Sequence, residues 1–125
     1  MSAPFKRLHP RAPISLTKSG EFQFGGTLCK SALLISSVDI YDWGLGRVEV
    51  DEPGILKFLD EVRQARGDFL LLGTGRTLQF PSLAFRSEID RRVLGLEVMD
   101  TSAACRTYNV LLAEGRFFTA ALLTR

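Results

Sequence analysis

Short unbroken apolar runs alternating with segments of helical period constrain this chain more than any other feature. Ala32-Leu33-Leu34-Ile35 and Phe69-Leu70-Leu71-Leu72 are too short for helices and show no polar alternation. That is the pattern of strands covered on both faces. Between them the period changes. Asp51 is placed to cap a helix with Pro53 in its first turn, and Ile55, Leu59 and Val62 fall on one face, widened by Leu56 and Phe58. Gly67 is the expected terminator. Pro81-Ser82 opens a second helix, with Phe85, Ile89 and Val93 at i, i+4 and i+8 and Gly95 as its stop, and Leu96–Met99 follows as a strand. Asp100-Thr101-Ser102 supplies N-cap candidates for a third helix carrying Ala104, Tyr108, Leu111 and Leu112 and closed by Gly115, after which Phe117–Leu123 is the last strand. The region before residue 32 reads differently. Phe22 and Phe24 alternate with polar neighbours and meet a Gly25-Gly26 turn, as a hairpin requires. Val38–Trp43 is extended and ends at Gly44-Leu45-Gly46. Strands alternating with helices from residue 32 onward predict an α/β fold with a mostly parallel central sheet flanked by helices, and the hairpin then forms an N-terminal antiparallel β annex.

Length and composition bound what such a fold can be. At 125 residues and 13.9 kDa the chain fits one domain, with 14–125 as the domain and 1–13 as a flexible arm. Lys6, Arg7, Arg11 and Lys18 precede the first acid, Glu21, and read as a solvated segment of that arm. A net charge of +2 gives no argument for nucleic acid or a membrane surface. Pro4, Pro10 and Pro13 interrupt the N-terminal region where a signal peptide would carry its apolar stretch. No run approaches the roughly 18 apolar residues of a membrane span. Cys29 and Cys105 are far apart and read as reduced thiols. The expected compartment is the cytoplasm.

A set of motifs then resembles a known family. Gly73-Thr74-Gly75-Arg76, Phe80-Pro81, Glu97-Val98-Met99-Asp100-Thr101, Thr107-Tyr108-Asn109 and Glu114-Gly115-Arg116 occur in the order found in the Mth-like domain family. The likeness runs from about Ile14 to Leu122. The resemblance implies a three-layer domain around the sheet, with an extra β layer from the N-terminal region. The family is mostly of unknown function and includes a mitochondrial NADH dehydrogenase (complex I) assembly factor, so the resemblance implies a protein partner, such as respiratory-complex subunits or another client. Without a mitochondrial targeting segment, a bacterial member is the simpler expectation.

The side chains that could do chemistry are few. His9, in the proline-rich segment, is the only histidine, which argues against a Ser-His-Asp triad or a histidine-rich zinc site. Gly44-Leu45-Gly46 and Gly73-Thr74-Gly75 each lack the third glycine of a dinucleotide fingerprint, and there is no Walker A sequence. No metal, cofactor or catalytic residue is therefore expected. Gly73-Thr74-Gly75 does end a strand, where open parallel sheets bind ligands, and Arg76 follows with a guanidinium. Ser36, Ser37, Asp100 and Thr101 end neighbouring strands and are expected to open onto the same edge. The plainer reading is that the glycines make a tight turn while Asp100 and Thr101 cap a helix. Cys105, early in the last helix, is a nucleophile if exposed beside Arg106 and a small core residue if buried. Trp43 is read as core. Arg86, Asp90 and Arg91 lie off the apolar stripe and form a charged face for a partner or for solvent. Two classes remain: a non-catalytic protein-interaction domain, which leads, and a small-molecule or anion-binding domain, with simple acid–base chemistry at Asp100 as its furthest extension.

Overall fold

The computed structural model describes residues 5–124. Along the chain run β1 (Arg7–Pro10), β2 (Ser15–Leu16), β3 (Phe22–Phe24), β4 (Thr27–Cys29), β5 (Ser31–Ile35), β6 (Asp39–Leu45), α1 (Glu52–Glu61), β7 (Phe69–Gly73), α2 (Leu83–Arg91), β8 (Gly95–Met99), α3 (Thr101–Ala113) and β9 (Thr119–Leu122). Six strands make one sheet in the order β1-β6-β5-β9-β7-β8, and β2-β3-β4 make a separate antiparallel sheet.

The alternation of side chains along the central strands divides the interior into two cores. Leu33, Ile35, Leu71, Ala120 and Leu122 face one way, where α3 contributes Ala104, Cys105 and Tyr108 and the small sheet contributes Phe22 and Phe24. Ala32, Leu34, Leu70, Leu72, Ala121 and Leu123 face the other way, against Ile55, Phe58 and Leu59 of α1 and Phe85 and Ile89 of α2. The helices are on opposite faces for a topological reason. The chain steps outward from β7 to β8 and then back across β7 to β9, so two crossovers of one hand must place their helices on opposite sides. Tertiary packing also outweighs local preference in α1. Gly54, a poor helix former, leaves room in the first turn for the Asp51 cap, and each fully buried Ile55, Phe58 or Leu59 contributes about 1.5–3 kcal/mol.

The α/β architecture with an antiparallel annex is as the sequence predicts, but the central sheet is mixed rather than mostly parallel. Only β7–β8 and β7–β9 are parallel, while β1–β6, β5–β6 and β5–β9 are antiparallel. An unbroken apolar run reports burial on both faces and carries no information on direction. The tight turn at Ser36–Val38 makes β5 and β6 antiparallel neighbours.

The segment expected to be a flexible arm is built into the fold where it is described, with residues 1–4 outside the described residues. β1 is the edge strand beside β6, a position that tolerates Pro10. Arg11 is tied into the fold and only partly exposed. Its backbone N–H donates to Val38 O at 2.9 Å, its guanidinium donates to Ser37 O at 3.2 Å and Arg116 O at 2.9 Å, and it lies 4.5 Å from the centroid of the Phe118 ring. α3 holds the next stretch. Tyr108 Oη donates to Ala12 O at 2.8 Å, and the Asn109 amide pairs with both backbone groups of Ile14, at 2.7 and 2.9 Å.

α2 ends at Arg91, before the glycine expected to stop it. Val93 N–H donates to Asp90 O and Leu94 N–H to Ile89 O, the paired bonds of a Schellman ending. Val93 therefore occupies the left-handed position usually taken by glycine, at φ 57°. A β-branched residue there is strained by about 1–2 kcal/mol, and its side chain is 89% exposed, so packing returns nothing. Val93→Gly should raise stability by about 1 kcal/mol and the thermal midpoint by several degrees. An unchanged or lower midpoint would contradict this account of the turn.

Candidate functional site at the carboxyl edge of the sheet

β7 and β9 finish side by side, because Gly73 is in register with Leu122, and β8 finishes beside them with Met99 opposite Gly73. β5 runs against β9, so its start, not its end, lies at this edge, and Leu45 at the end of β6 pairs with Ser31 there. The edge is completed by the loop from Thr74 to Ser82 and by the first residues of α2 and α3.

Asp100 caps α3, its carboxylate accepting from Ala103 N–H at 2.9 Å. Thr101 is fully buried, and its hydroxyl accepts from Gly75 N–H at 2.8 Å while donating to Leu123 O at 2.9 Å. Its own N–H donates to Gly75 O at 2.9 Å. Thr74 is buried as well. Its N–H donates to Met99 O at 2.9 Å, and its hydroxyl accepts from Gln79 N–H at 3.1 Å and donates to Thr77 O at 2.7 Å. The N–H groups of Thr74 and Gly75 are thus already bonded within the chain. The two glycines have separate reasons. A Cβ on Gly73 would stand 3.0 Å from Ala104 Cβ and Leu122 Cδ2, so glycine lets α3 lie close to the sheet. Gly75 has φ +92°, a conformation that a side chain makes costly.

Of the residues singled out in the sequence, Gly73, Thr74, Gly75, Arg76, Asp100 and Thr101 meet at this edge. Ser36 and Ser37 do not. They form the β5–β6 turn at the opposite end, where Ser36 Oγ accepts from Val38 and Asp39 N–H at 3.2 and 3.0 Å and Ser37 N–H donates to Ala65 O at 2.7 Å. Expecting β5 to be parallel put them at the wrong edge. Val48, Glu49, Thr77, Gln79 and Thr124, not singled out, take their place, joining Thr74, Gly75 and Arg76 to line a cavity of about 460 Å³. Exposed apolar residues crowd the same end, with Leu45 at 77%, Val48 at 60%, Leu78 at 50%, Phe80 at 69% and Leu83 at 82% exposure. The sequence signal for them was the apolar Leu78 and Phe80 inside a loop of turn-forming residues.

Cys105 lies away from this surface. Burial pushes its thiol up to about 12, against the smaller opposing effect of Arg106, and burial raises Tyr108 to about 12 as well. Trp43 is core, as expected from the sequence. Among the described residues no group of three or more His, Cys, Asp or Glu is placed to hold a metal ion, and no helix is long and apolar enough to cross a membrane.

A mixed six-stranded sheet, helices on both faces and a three-stranded annex give the chain the fold of an Mth938-like domain. A domain of that description from Bordetella pertussis superposes with a TM-score of 0.70 over 90% of this chain and 85% of its own, at 23% identity, a likeness of fold alone. The family described as protein of unknown function (DUF498/DUF598) matches residues 14–123, and the chain belongs to it. It is 32% identical over 111 residues to an uncharacterised protein of Rhodobacter capsulatus, covering 89% of this chain and 83% of that one. A crystal structure of a protein from Bartonella henselae, described as an outer membrane protein, is similar at 30% identity and a TM-score of 0.78, over 91% of this chain and 95% of that one.

Two outcomes test the site's construction. Gly75→Ala should cost about 1–2 kcal/mol from its left-handed backbone, read as a lower urea midpoint, and a neutral result would remove the conformational argument. In the native protein, a thiol reagent at pH 8 should modify half-buried Cys29 well before buried Cys105, with the second thiol released on unfolding. Equal rates would mean that Cys105 is open to solvent.

Proposed function

We propose that the chain is a non-catalytic protein-binding domain whose contact surface is the carboxyl edge of the sheet. One observation carries this reading: of ten exposed large hydrophobic residues among the described residues, five (Leu45, Val48, Leu78, Phe80 and Leu83) stand at this one end. The other five are divided among the annex, α3 and the opposite edge. Exposed apolar surface gathered in one place marks sites of association, and an aromatic such as Phe80 is the residue type that most often anchors one. Arg76, Glu49 and Gln79 supply a polar rim. The internal bonding of Thr74, Gly75, Asp100 and Thr101 supports a structural role for those groups. The resemblance to a family that includes a complex I assembly factor favours a folding or assembly intermediate as the client, respiratory-complex subunits among them.

A second reading, an anion or small molecule held at the same edge, draws on the cavity beside Gly75 and on the exposed guanidinium of Arg76. Its candidate residues are Gly73, Thr74, Gly75, Arg76, Asp100 and Thr101.

Crosslinking in the native cell separates the two. A definite client should be captured by the wild-type chain and lost from Phe80→Asp/Leu83→Asp, while Arg86→Ala, on an exposed face of α2, keeps both capture and the thermal midpoint. Capture that survives the double substitution would sink the docking surface. Turnover of a small substrate that disappears in Asp100→Asn would establish the second reading instead.

A further inference from the structure

The opposite end of the molecule has a different chemistry. There α1 and α2 finish beside each other, and a cavity of about 460 Å³ is lined by Asp60, Arg63, Arg66, Glu88, Arg91, Arg92 and Val93. Four arginines against two acids leave +2 in this lining, equal to the formal net charge of the whole chain (16 basic less 14 acidic residues), so the remainder is balanced. The lining is concave and carries a positive excess, and such a surface concentrates field lines.

The four guanidiniums do different work. Arg92 is the fixed floor: it forks onto Asp60 at 2.9 and 3.0 Å and donates to Glu88 O and Oε1 at 2.9 and 3.0 Å. These contacts hold Asp60 and Glu88 below the usual carboxylate range, the Arg92 hydrogen bond being the main cause for each. Arg66 is mostly buried, donates to Arg92 O at 3.2 Å and stands 3.9 Å from Asp60. At the rim, Arg91 touches only Glu88 and is 75% exposed, while Arg63 is exposed and joins none of the ion pairs among the described residues. Val93 is the one apolar lining residue and sits in its strained left-handed turn at the mouth.

We propose that this cavity binds a phosphate-bearing ligand, with Arg63 and Arg91 meeting the phosphate at the rim and Arg66 behind them beside Arg92, which is paired with Asp60 and Glu88. Arginine forks match phosphate oxygens in pairs, and a nearly all-charged lining suits a dianion better than an apolar ligand. The site is separate from the docking surface proposed at the carboxyl edge, so either can fail without the other. The phosphate can be carried by a soluble molecule or by a lipid headgroup.

The test is a titration of the intact chain with pyrophosphate at 0.15 M salt, followed by amide resonances. Saturable shifts centred on Arg63, Arg66, Arg91 and Val93 are expected, with at least a tenfold loss of affinity in Arg63→Ala/Arg91→Ala and none in Arg86→Ala. Vesicles containing phosphatidic acid form the second arm. Sedimentation with them that is lost in the same double variant, without a pyrophosphate response, assigns a lipid headgroup, whereas a response to pyrophosphate alone assigns a soluble phosphate. Shifts centred on Thr74–Arg76, shifts unaffected by the double variant, or no response in either arm would overturn the proposal.

Discussion

The fold depends on β9, four buried residues that join two sheets' worth of different geometry. On one side it accepts β5 antiparallel, and on the other it lies parallel to β7. Within the six-stranded sheet, Thr119-Ala120-Ala121-Leu122 stands between the antiparallel half and the parallel half. The two alanines keep the strand thin, and the absent side chain of Gly73 next to it lets α3 settle onto the sheet. Thr119 fastens the start of the strand by donating to Arg66 O at 2.6 Å, and Thr124, just past its end, donates to Arg47 O at 2.6 Å. A short strand without charge or bulk is what a position enclosed on all sides demands.

Much of this was legible in the sequence, for reasons that differ by element. Ile55 and Leu59, Phe85 and Ile89, and Ala104 and Tyr108 recur at helical spacing, and all are buried. Caps are local chemistry and were readable at Asp51, Ser82 and Asp100. Strand direction was not readable, because Ala32–Ile35 looks the same whichever way its neighbours run, and with it went the placement of Ser36 and Ser37. Val93 misled for a similar reason: its spacing continues the stripe of α2, while the turn takes it out of the helix. At the candidate site, the meeting of Gly73, Gly75 and Thr101 was foreseeable from strand ends. That Thr101 would occupy the Gly75 amide was not, since it depends on the closeness of α3 to β7. Val48 and Thr124 approach that loop only through tertiary structure, and no local pattern marks them.

Cys105 shows how two opposing effects are decided by magnitude. A helix N-terminus favours a thiolate by about 0.3–1 kcal/mol when exposed and up to about 2 when partly buried. Raising the thiol from 9.0 to about 12 corresponds to about 4 kcal/mol at 1.36 kcal/mol per unit. Desolvation wins, and the residue behaves as a small core side chain packed near Tyr108 and Ala104. The same accounting applies to Arg11. Its partial burial is offset by two carbonyls and an aromatic face, although its Nε is buried without a partner among the described residues.

The amide of Asn109 imitates a neighbouring strand for Ile14 across 95 positions of sequence, and β9 joins β5 across a comparable span. Both closures wait for segments made long after their partners. During synthesis the meander of β5 and β6 is complete long before the strand that will cover its inner edge has been made. Until then, the open side of β5 has no strand of its own chain to pair with. The order of elements therefore leaves the inner edge of β5 open to association until β9 has been made, and cooperative closure of the sheet waits for that strand.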